Sequence, residues 1–299
     1  MNYPDKVTVV EVGPRDGLQN EKSILSAVQK ATLVDMLSAS GLAVIETGSF
    51  VSPRWVPQMA NSDEVFGTIM RQAGTRYTAL TPNEKGLDAA IDARVDEVAI
   101  FAAVTESFSR KNLNASIEET LQRFEPIMTR TRSLGMPVRG YLSCVMGCPY
   151  EGEVAPEAVS LLTRRLLDMG CHEVSLGDTI GTGTAGSTQR LLDTLLIDGI
   201  PVEQLAMHCH DTYGQALANL VIALQYGVAT IDASIAGLGG CPYAKGATGN
   251  VATEDVIYLL DGLGIEHGVD LAQLLEAGRY IGQQLGRDSQ SRAARALQA

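Results

Sequence analysis

Two of the four histidines in the chain, His208 and His210, are separated by a single residue at the end of a run typical of a β-strand. On a strand, residues i and i+2 point to the same side, so both imidazoles can face one point. Two imidazole nitrogens with nearby carboxylate or amide oxygens make a site for a divalent cation. The alternative is two core histidines that hydrogen-bond the backbone. Their position at a strand end favours the metal site.

Asp16 and Asn250 are the candidate oxygen ligands of this site. Asp16 lies in the turn that follows the first predicted strand, and Asn250 closes a glycine-rich segment after the last one. A mixed set of nitrogen and oxygen donors that includes an amide suits Mg²⁺ or Mn²⁺ better than a structural Zn²⁺. The sequence therefore predicts a Mg²⁺ or Mn²⁺ site.

Arg15 precedes Asp16 in the same turn, which Gly13 and Pro14 open. An arginine at this place could polarise a carbonyl and stabilise an enolate through charge-assisted hydrogen bonds. The alternative is a surface ion pair between the two neighbours. If the turn lies in an active site, Arg15 faces the substrate and Asp16 faces the cation.

Cys241 lies in the segment GLGGCPYAKGATGN, with glycines on its N-terminal side. A thiol on a mobile glycine-rich loop could reach a substrate and transfer one proton, although many cysteines are simply small buried apolar residues. Glu46 lies near the end of the second predicted strand, and Asp178 follows the sixth. They could hold the metal ligands or Arg15 in place, and ordinary helix-cap or ion-pair roles are the alternative.

Eight short β-type runs, several of them too apolar to have a wet face, are typical of buried parallel strands. They are Val7–Val12, Ala43–Thr47, Arg76–Leu80, Glu97–Phe101, Val138–Cys144, Glu173–Leu176, Gln204–Cys209 and Thr230–Ile235. Amphipathic segments separate them, among them Ser26–Ser38, Ile117–Leu134, Pro156–Met169, Ser187–Ile197 and Gln215–Tyr226. Glycines at 41, 135, 170 and 227 stand where helices should end.

This alternation predicts an α/β protein, a (β/α)₈ TIM barrel with extra C-terminal helices. The chain forms one catalytic domain, with the barrel at about 7–262 and extra helices and a polar tail at 263–299, the end of which, from Arg287, is expected to fray. A doubly wound sheet would require G-x-G-x-x-G after the first strand, and GPRDGLQ does not match it. In a barrel, chemistry lies at the C-terminal strand ends, so the candidate residues converge on one rim.

Composition excludes several classes of function. The chain has 23 Lys and Arg against 35 Asp and Glu, a net charge of −12, which argues against binding to nucleic acid or to an anionic membrane. No run approaches the roughly 18 apolar residues of a membrane span. The start, MNYPDK, does not resemble a secretory signal. Five irregularly spaced cysteines indicate free thiols and a reducing, cytoplasmic setting.

Three stretches of this sequence resemble the 3-hydroxy-3-methylglutaryl-CoA (HMG-CoA) lyase family: RDGLQN at 15–20, HCHD at 208–211 and AGLGGCPYAKGATGN at 236–250. The resemblance covers about 7–285, and the cysteine segment is its specific part. The first turn and the H-x-H are shared with a wider group of metal-dependent, Claisen-type barrel enzymes. The resemblance implies cleavage of HMG-CoA, a CoA thioester, to acetyl-CoA and acetoacetate in a homodimeric enzyme of leucine breakdown.

The resemblance also implies residue roles. The family's cation ligands correspond to Asp16, His208, His210 and Asn250. Arg15 would bind the substrate and carry the enolate charge, Cys241 would protonate the carbanion, and His208 is the candidate base. Glu46 and Asp178 match positions that influence activity.

Three alternatives remain open. A Claisen-condensing acyltransferase of the isopropylmalate or homocitrate synthase type would use the same barrel, but such synthases usually need a longer chain. A lyase for a related hydroxyacyl-CoA is the second alternative. An inactive barrel that serves as a scaffold is the third, and the intact set of ionisable residues disfavours it.

Overall fold

A computed structural model describes residues 3–240 and 249–297, and eight parallel strands in it close into a barrel. Each strand pairs with the next, and the last pairs with the first. The strands are β1 (Thr8–Glu11), β2 (Val44–Ser49), β3 (Arg76–Leu80), β4 (Glu97–Ala103), β5 (Val138–Ser143), β6 (Glu173–Asp178), β7 (Leu205–Cys209) and β8 (Thr230–Ala233). The predicted TIM barrel is confirmed.

Helices alternate with the strands on the outside of the barrel. The described residues contain α1 (Ala27–Ala39), α2 (Ser62–Thr68), α3 (Glu84–Asp92), α4 (Glu106–Leu113), α5 (Ile117–Leu134), α6 (Pro156–Met169), α7 (Ala185–Ile197), α8 (Ala216–Gln225), α9 (Thr253–Leu263), α10 (Leu271–Leu285) and α11 (Arg292–Leu297). Helices α2, α3 and α4 were not predicted from the sequence. These helices span only two or three turns, so their apolar residues repeat too few times to show a period.

Local sequence fixes the helix ends. Ser26 caps α1 with a reciprocal pair of hydrogen bonds to Gln29, which satisfies N–H groups that the first turn leaves unpaired. Gly135 and Gly170 end α5 and α6 in the left-handed conformation, as their positions in the sequence predicted.

The barrel interior contains a buried group of ion pairs. Arg139 of β5 donates from Nη2 to Asp232 Oδ1 of β8 at 2.8 Å and from Nε to Glu173 Oε1 of β6 at 2.7 Å. Since β5 and β8 are not neighbours in the barrel, the contact with Asp232 must cross the interior. The alternate residues Val138 and Leu142 pack in the main hydrophobic core. A charge as buried as that of Arg139 is tolerated because carboxylates pair with it.

The C-terminal helices close the barrel and then extend it. Helix α9 is the predicted eighth helix, and α10 and α11 follow. The expectation of a frayed tail was wrong for residues up to 297. Ser291 and Ala294 are buried, and Asp255 of α9 accepts hydrogen bonds from Ser291 Oγ and the Ala293 N–H, both at 2.7 Å. The tail is ordered by Asp255, which lies about forty residues earlier and could not be identified as its partner from the polar sequence.

Among the described residues, no helix is both long and apolar enough to cross a membrane.

Candidate active site

The two histidines of the H-x-H pair face each other at the C-terminal end of β7. His208 Nε2 lies 3.3 Å from His210 Nε2, and both side chains are buried. The Asp16 carboxylate completes a cluster whose candidate ligand atoms all lie within 4.8 Å of one another. Across residues 3–240 and 249–297, this is the one cluster of three or more His, Cys, Asp or Glu side chains that could hold a metal ion.

Asn250 reaches this cluster because its segment pairs with the end of β7. Asn250 forms a β-bridge with His210, and the Val251 N–H donates to the Cys209 carbonyl at 2.9 Å. The preceding residue must be glycine, since a Cβ at Gly249 would lie 2.4 Å from the Gly237 carbonyl oxygen. The Asn250 Nδ2 donates to Asp16 Oδ2 at 2.9 Å. The amide oxygen is thus the atom of this side chain that could bind a cation.

The donor set fits a divalent cation that takes nitrogen and oxygen ligands. Burial would raise the pKa of the Asp16 carboxyl, but Arg15, His208 and His210 lower it to about 2. Asp16 is therefore an anion at neutral pH, as a ligand must be. The paired imidazole nitrogens would supply the other donors in their neutral form, since a ligating imidazole nitrogen must be deprotonated.

Asp232 fixes the orientation of His208. The two residues are partners in the register of β7 and β8, and His208 Nδ1 lies 3.2 Å from Asp232 Oδ2. Burial would raise the pKa of Asp232, but Arg139 and His208 hold it well below its usual range. An ionised Asp232 accepts a hydrogen bond from the Nδ1–H of His208, which leaves the Nε2 lone pair directed at the cluster. A carboxylate behind a metal-binding histidine is a common arrangement.

Arg15 is buried in the short helical turn Gly13–Gly17, which carries both residues of the predicted Arg-Asp pair. Its Nε donates to Glu46 Oε2 at 2.6 Å and its Nη1 donates to Asp16 Oδ1 at 2.7 Å. The guanidinium carbon also lies 5.4 Å from the centre of the Tyr141 ring. Burial opposes its charge, yet Glu46 and Asp16 raise the pKa of Arg15 further. Arg15 is a buried cation beside the Asp16–His208–His210 cluster, so the surface ion-pair interpretation does not apply.

Glu46 lies on β2, fully buried, and holds Arg15 rather than joining the metal cluster. Burial raises the pKa of Glu46, an effect that Arg15 opposes. Its second oxygen, Oε1, has no hydrogen-bond partner among the described residues. The side chain therefore serves Arg15 alone in the described contacts.

Asp178, the last residue of β6, shapes the loop that follows. Its carboxylate accepts the N–H groups of Thr182 at 3.1 Å and Gly183 at 2.9 Å. Burial raises its pKa to about 6 although these bonds lower it. It is not part of the three-residue metal cluster.

Cys241 lies outside the described residues. The chain before it runs along the same rim, and the Gly240 carbonyl accepts a hydrogen bond from Asn20 Nδ2 at 2.8 Å. Gly240 is thus tied to the segment that follows the Arg15–Asp16 turn.

Three residues of this environment escaped the sequence analysis: Tyr141, Arg139 and Asp232. The signal was present, because Arg139 and Asp232 are charged residues in the middle of strands that are otherwise mostly uncharged. Such a charge in a buried strand requires a partner, but the sequence does not say which.

Three comparisons with known proteins agree with this geometry. A family model described as HMGL-like matches residues 6–281. A 3-hydroxy-3-isohexenylglutaryl-CoA/hydroxymethylglutaryl-CoA lyase of Pseudomonas aeruginosa is 58% identical over 299 residues, 100% of this chain and 99% of that protein.

Solved structures give the same result. A hydroxymethylglutaryl-CoA lyase of P. aeruginosa superposes with a TM-score of 0.97 at 57% identity, covering 100% of this chain and 99% of the other. An HMG-CoA lyase of Acinetobacter baumannii, in complex with coenzyme A and 3-methylmalate, has a TM-score of 0.93 at 33% identity, covering 99% and 96%. The chain belongs to the HMGL-like family, among the HMG-CoA lyases.

Proposed function

We propose that the chain cleaves HMG-CoA to acetyl-CoA and acetoacetate with a bound divalent cation, Mg²⁺ or Mn²⁺. The observation that carries the proposal is the single rim that joins Arg15 to the Asp16–His208–His210 cluster, with Asn250 bonded to Asp16. Asp16, His208, His210 and Asn250 would hold the cation. When bound, it would supply Lewis-acid stabilisation of the substrate's oxygens.

In this reaction the C3 hydroxyl of the substrate loses its proton to a base and the bond between C2 and C3 breaks. C3 becomes the ketone carbon of acetoacetate, and the electron pair passes to C2 and the thioester oxygen as an enolate. Arg15, which is charged and fixed by Glu46 and Asp16, would stabilise that oxygen. The Cys241 thiol would then deliver the proton that converts C2 to the methyl group of acetyl-CoA.

The roles of His208 as ligand and as base compete. Its Nδ1 is engaged by Asp232 and its Nε2 faces His210, so no third nitrogen remains. We assign His208 to the ligand set, because a ligating Nε2 would have to leave the cation before it could accept a proton.

A coupled assay tests the proposal. The purified chain is incubated with HMG-CoA and Mg²⁺ or Mn²⁺, with and without a chelator, and acetoacetate is measured. We expect acetoacetate that depends on the cation. Consumption of acetyl-CoA with a 2-oxo acid, and no acetoacetate from HMG-CoA, would favour a condensing acyltransferase instead.

A second substrate has specific support. The 58%-identical relative is named for both the isohexenylglutaryl and the methylglutaryl thioesters. Both have the same reacting atoms and differ in the substituent on C3, so the same assay with the longer substrate measures how far the site accepts it. A higher kcat/KM for the longer substrate would make it the preferred one.

We further propose that the whole chain acts as one catalytic domain in a homodimer, in a reducing compartment such as the cytoplasm. The free thiols of Cys148, Cys171 and Cys209 support the reducing setting. Light scattering of the purified protein would measure the mass in solution, and a monomer would contradict the dimer.

A further inference from the structure

Glu11, the last residue of β1, is completely buried and accepts three hydrogen bonds. Its Oε1 accepts the N–H groups of Gly13 at 2.7 Å and Ile235 at 2.9 Å. Its Oε2 accepts the hydroxyl of Thr253 at 2.6 Å. All of these donors come from different parts of the chain, so one carboxylate joins three segments.

Each of these segments leads to a residue of the candidate site. Gly13 is two residues before Arg15 and three before Asp16. Thr253 is three residues after Asn250, and Ile235 begins the turn Ile235–Gly237 that leads to Gly240. The two oxygen ligands of the cation therefore lie on chain segments that meet at Glu11.

The contact with the first segment is tight. A Cβ at Gly13 would lie 2.5 Å from Glu11 Oε1, so only glycine allows the backbone to approach the carboxylate this closely. Glu11 itself has no exposed surface and does not belong to the Asp16–His208–His210 cluster. Any effect on the reaction must pass through the segments that it binds.

A second buried carboxyl group lies next to this junction. Both oxygens of Glu254 on α9 are within 3.1 Å of the Ala236 N–H, which neighbours the Ile235 N–H bound by Glu11. Ala236 has a φ of 56°, a left-handed conformation that a non-glycine residue adopts only when its surroundings hold it. The two carboxyl groups together hold this turn.

We propose that Glu11 is a positioning residue, whose carboxylate fixes the Arg15–Asp16 turn relative to the segment that carries Asn250. This rests on the proposed cation site. The hydrogen bond from Asn250 Nδ2 to Asp16 Oδ2 is a second, direct connection between the two segments that Glu11 joins. When Glu11 is removed, the two oxygen ligands lose their common support while the histidines of β7 keep theirs.

The test compares Glu11→Ala with Glu11→Gln. A glutamine Oε1 can accept both N–H groups and its Nε2 can donate to the Thr253 hydroxyl, so Glu11→Gln should keep Mn²⁺ affinity and kcat within about threefold. Glu11→Ala should lower Mn²⁺ affinity about tenfold or more and kcat by up to about a hundredfold, as small misplacements can, with a smaller change in KM. Mn²⁺ binding is measured by electron paramagnetic resonance.

A third variant serves if Glu11→Ala does not fold. Thr253→Val removes one of the three hydrogen bonds and should weaken Mn²⁺ binding in the same direction. Its matched control is Thr163→Val, since Thr163 is equally buried and its hydroxyl has no hydrogen-bond partner among the described residues. Equal Mn²⁺ affinity in Thr253→Val and Thr163→Val would count against the proposal.

Hydrogen exchange separates this inference from the proposed function. In the metal-free protein, amides of 12–18 and 234–240 should exchange faster in Glu11→Ala than in Glu11→Gln. If the unmodified chain binds no Mn²⁺ and cleaves no HMG-CoA, the proposed function fails, and exchange still tests the junction. Unchanged exchange in both segments, or a folded Glu11→Ala protein with normal Mn²⁺ affinity, would overturn the role of Glu11. Equal defects in the Gln and Ala variants would also overturn it.

Discussion

His208 and Asp232 face each other across the β7–β8 pair, with Nδ1 and Oδ2 3.2 Å apart. Asp232 is held from the other side by Arg139 and by Ser175 Oγ at 2.7 Å. A chain of buried contacts therefore runs from the far wall of the barrel to the imidazole. Its effect is to select the tautomer of His208 in which Nε2 carries a lone pair.

The first prediction concerns this contact. Asp232→Asn keeps the shape but replaces the anion that accepts from Nδ1, so His208 loses both its tautomer preference and part of its basicity. We expect metal affinity or activity to fall about 10–100-fold, measured by Mn²⁺ titration and by acetoacetate release.

The control is a second His–Asp pair, His267 and Asp261, which does not belong to the candidate metal cluster. His267 Nε2 lies 2.9 Å from Asp261 Oδ1, where the carboxylate is exposed. Asp261→Asn should leave Mn²⁺ affinity unchanged. If Asp232→Asn and Asp261→Asn bind Mn²⁺ equally well, Asp232 does not position a ligand.

The second prediction concerns Arg15. Arg15→Lys keeps the positive charge but cannot reproduce the planar fork that bonds Glu46 and Asp16 together. We expect kcat to fall by about a hundredfold or more, as when a donor to a developing oxyanion is lost, with a smaller change in KM. Steady-state kinetics measure this. Arg76→Lys, at an ion pair with Glu97 that is partly exposed, is the control and should keep kcat.

The third prediction concerns Cys241. Cys241→Ala should leave Mn²⁺ binding intact and lower kcat by orders of magnitude, because the thiol would supply a proton rather than a ligand. Cys171→Ala is the matched control and should keep kcat: Cys171 is buried just before β6, at the opposite end of that strand from Asp178, and burial raises the pKa of its thiol to about 12. Normal turnover in Cys241→Ala would refute the assignment.

The fourth prediction concerns the pH dependence of stability. Burial, with a smaller effect from Glu11, raises the pKa of Glu254 to about 8 from its usual 4.5. Between these two values the folded chain holds a proton that the unfolded chain has lost, so the stability from this group falls as pH rises.

Glu254→Gln is neutral at every pH and should lose less stability than the unmodified chain as pH rises from 5 to 8. The expected difference in Tm is several degrees, because one pKa unit is about 1.4 kcal/mol and 1 kcal/mol moves Tm by about 2–4 °C. Thermal unfolding measures it. The exposed carboxyl group of Glu266, which Lys6 pairs, provides the control Glu266→Gln. Parallel pH profiles for the unmodified chain and Glu254→Gln would contradict the prediction.

The barrel was predictable because its signal repeats. Eight apolar runs and the helices between them each gave weak support for the same architecture. An error at the end of one strand, such as placing Asp178 after β6 rather than at its end, therefore did not change the predicted fold. The His208 and His210 pair was predictable because the period of a strand fixes which side two such residues share.

The supporting residues were not predictable in the same way. Glu11 looks like any acidic residue in a strand, and its three donors lie at 13, 235 and 253. Only the closed barrel brings them together. The prediction of a frayed tail was wrong for the same reason. Ser291 is held by Asp255, and the residues near Ser291 in sequence do not indicate that partner.

The buried ion pairs of Arg139 bear on how substrate and products enter and leave the barrel. Arg139 and its two carboxylate partners are buried inside the barrel, and the interior of such a barrel is a packed core rather than a pore. Substrate and both products would therefore enter and leave through the rim formed by the C-terminal ends of the strands.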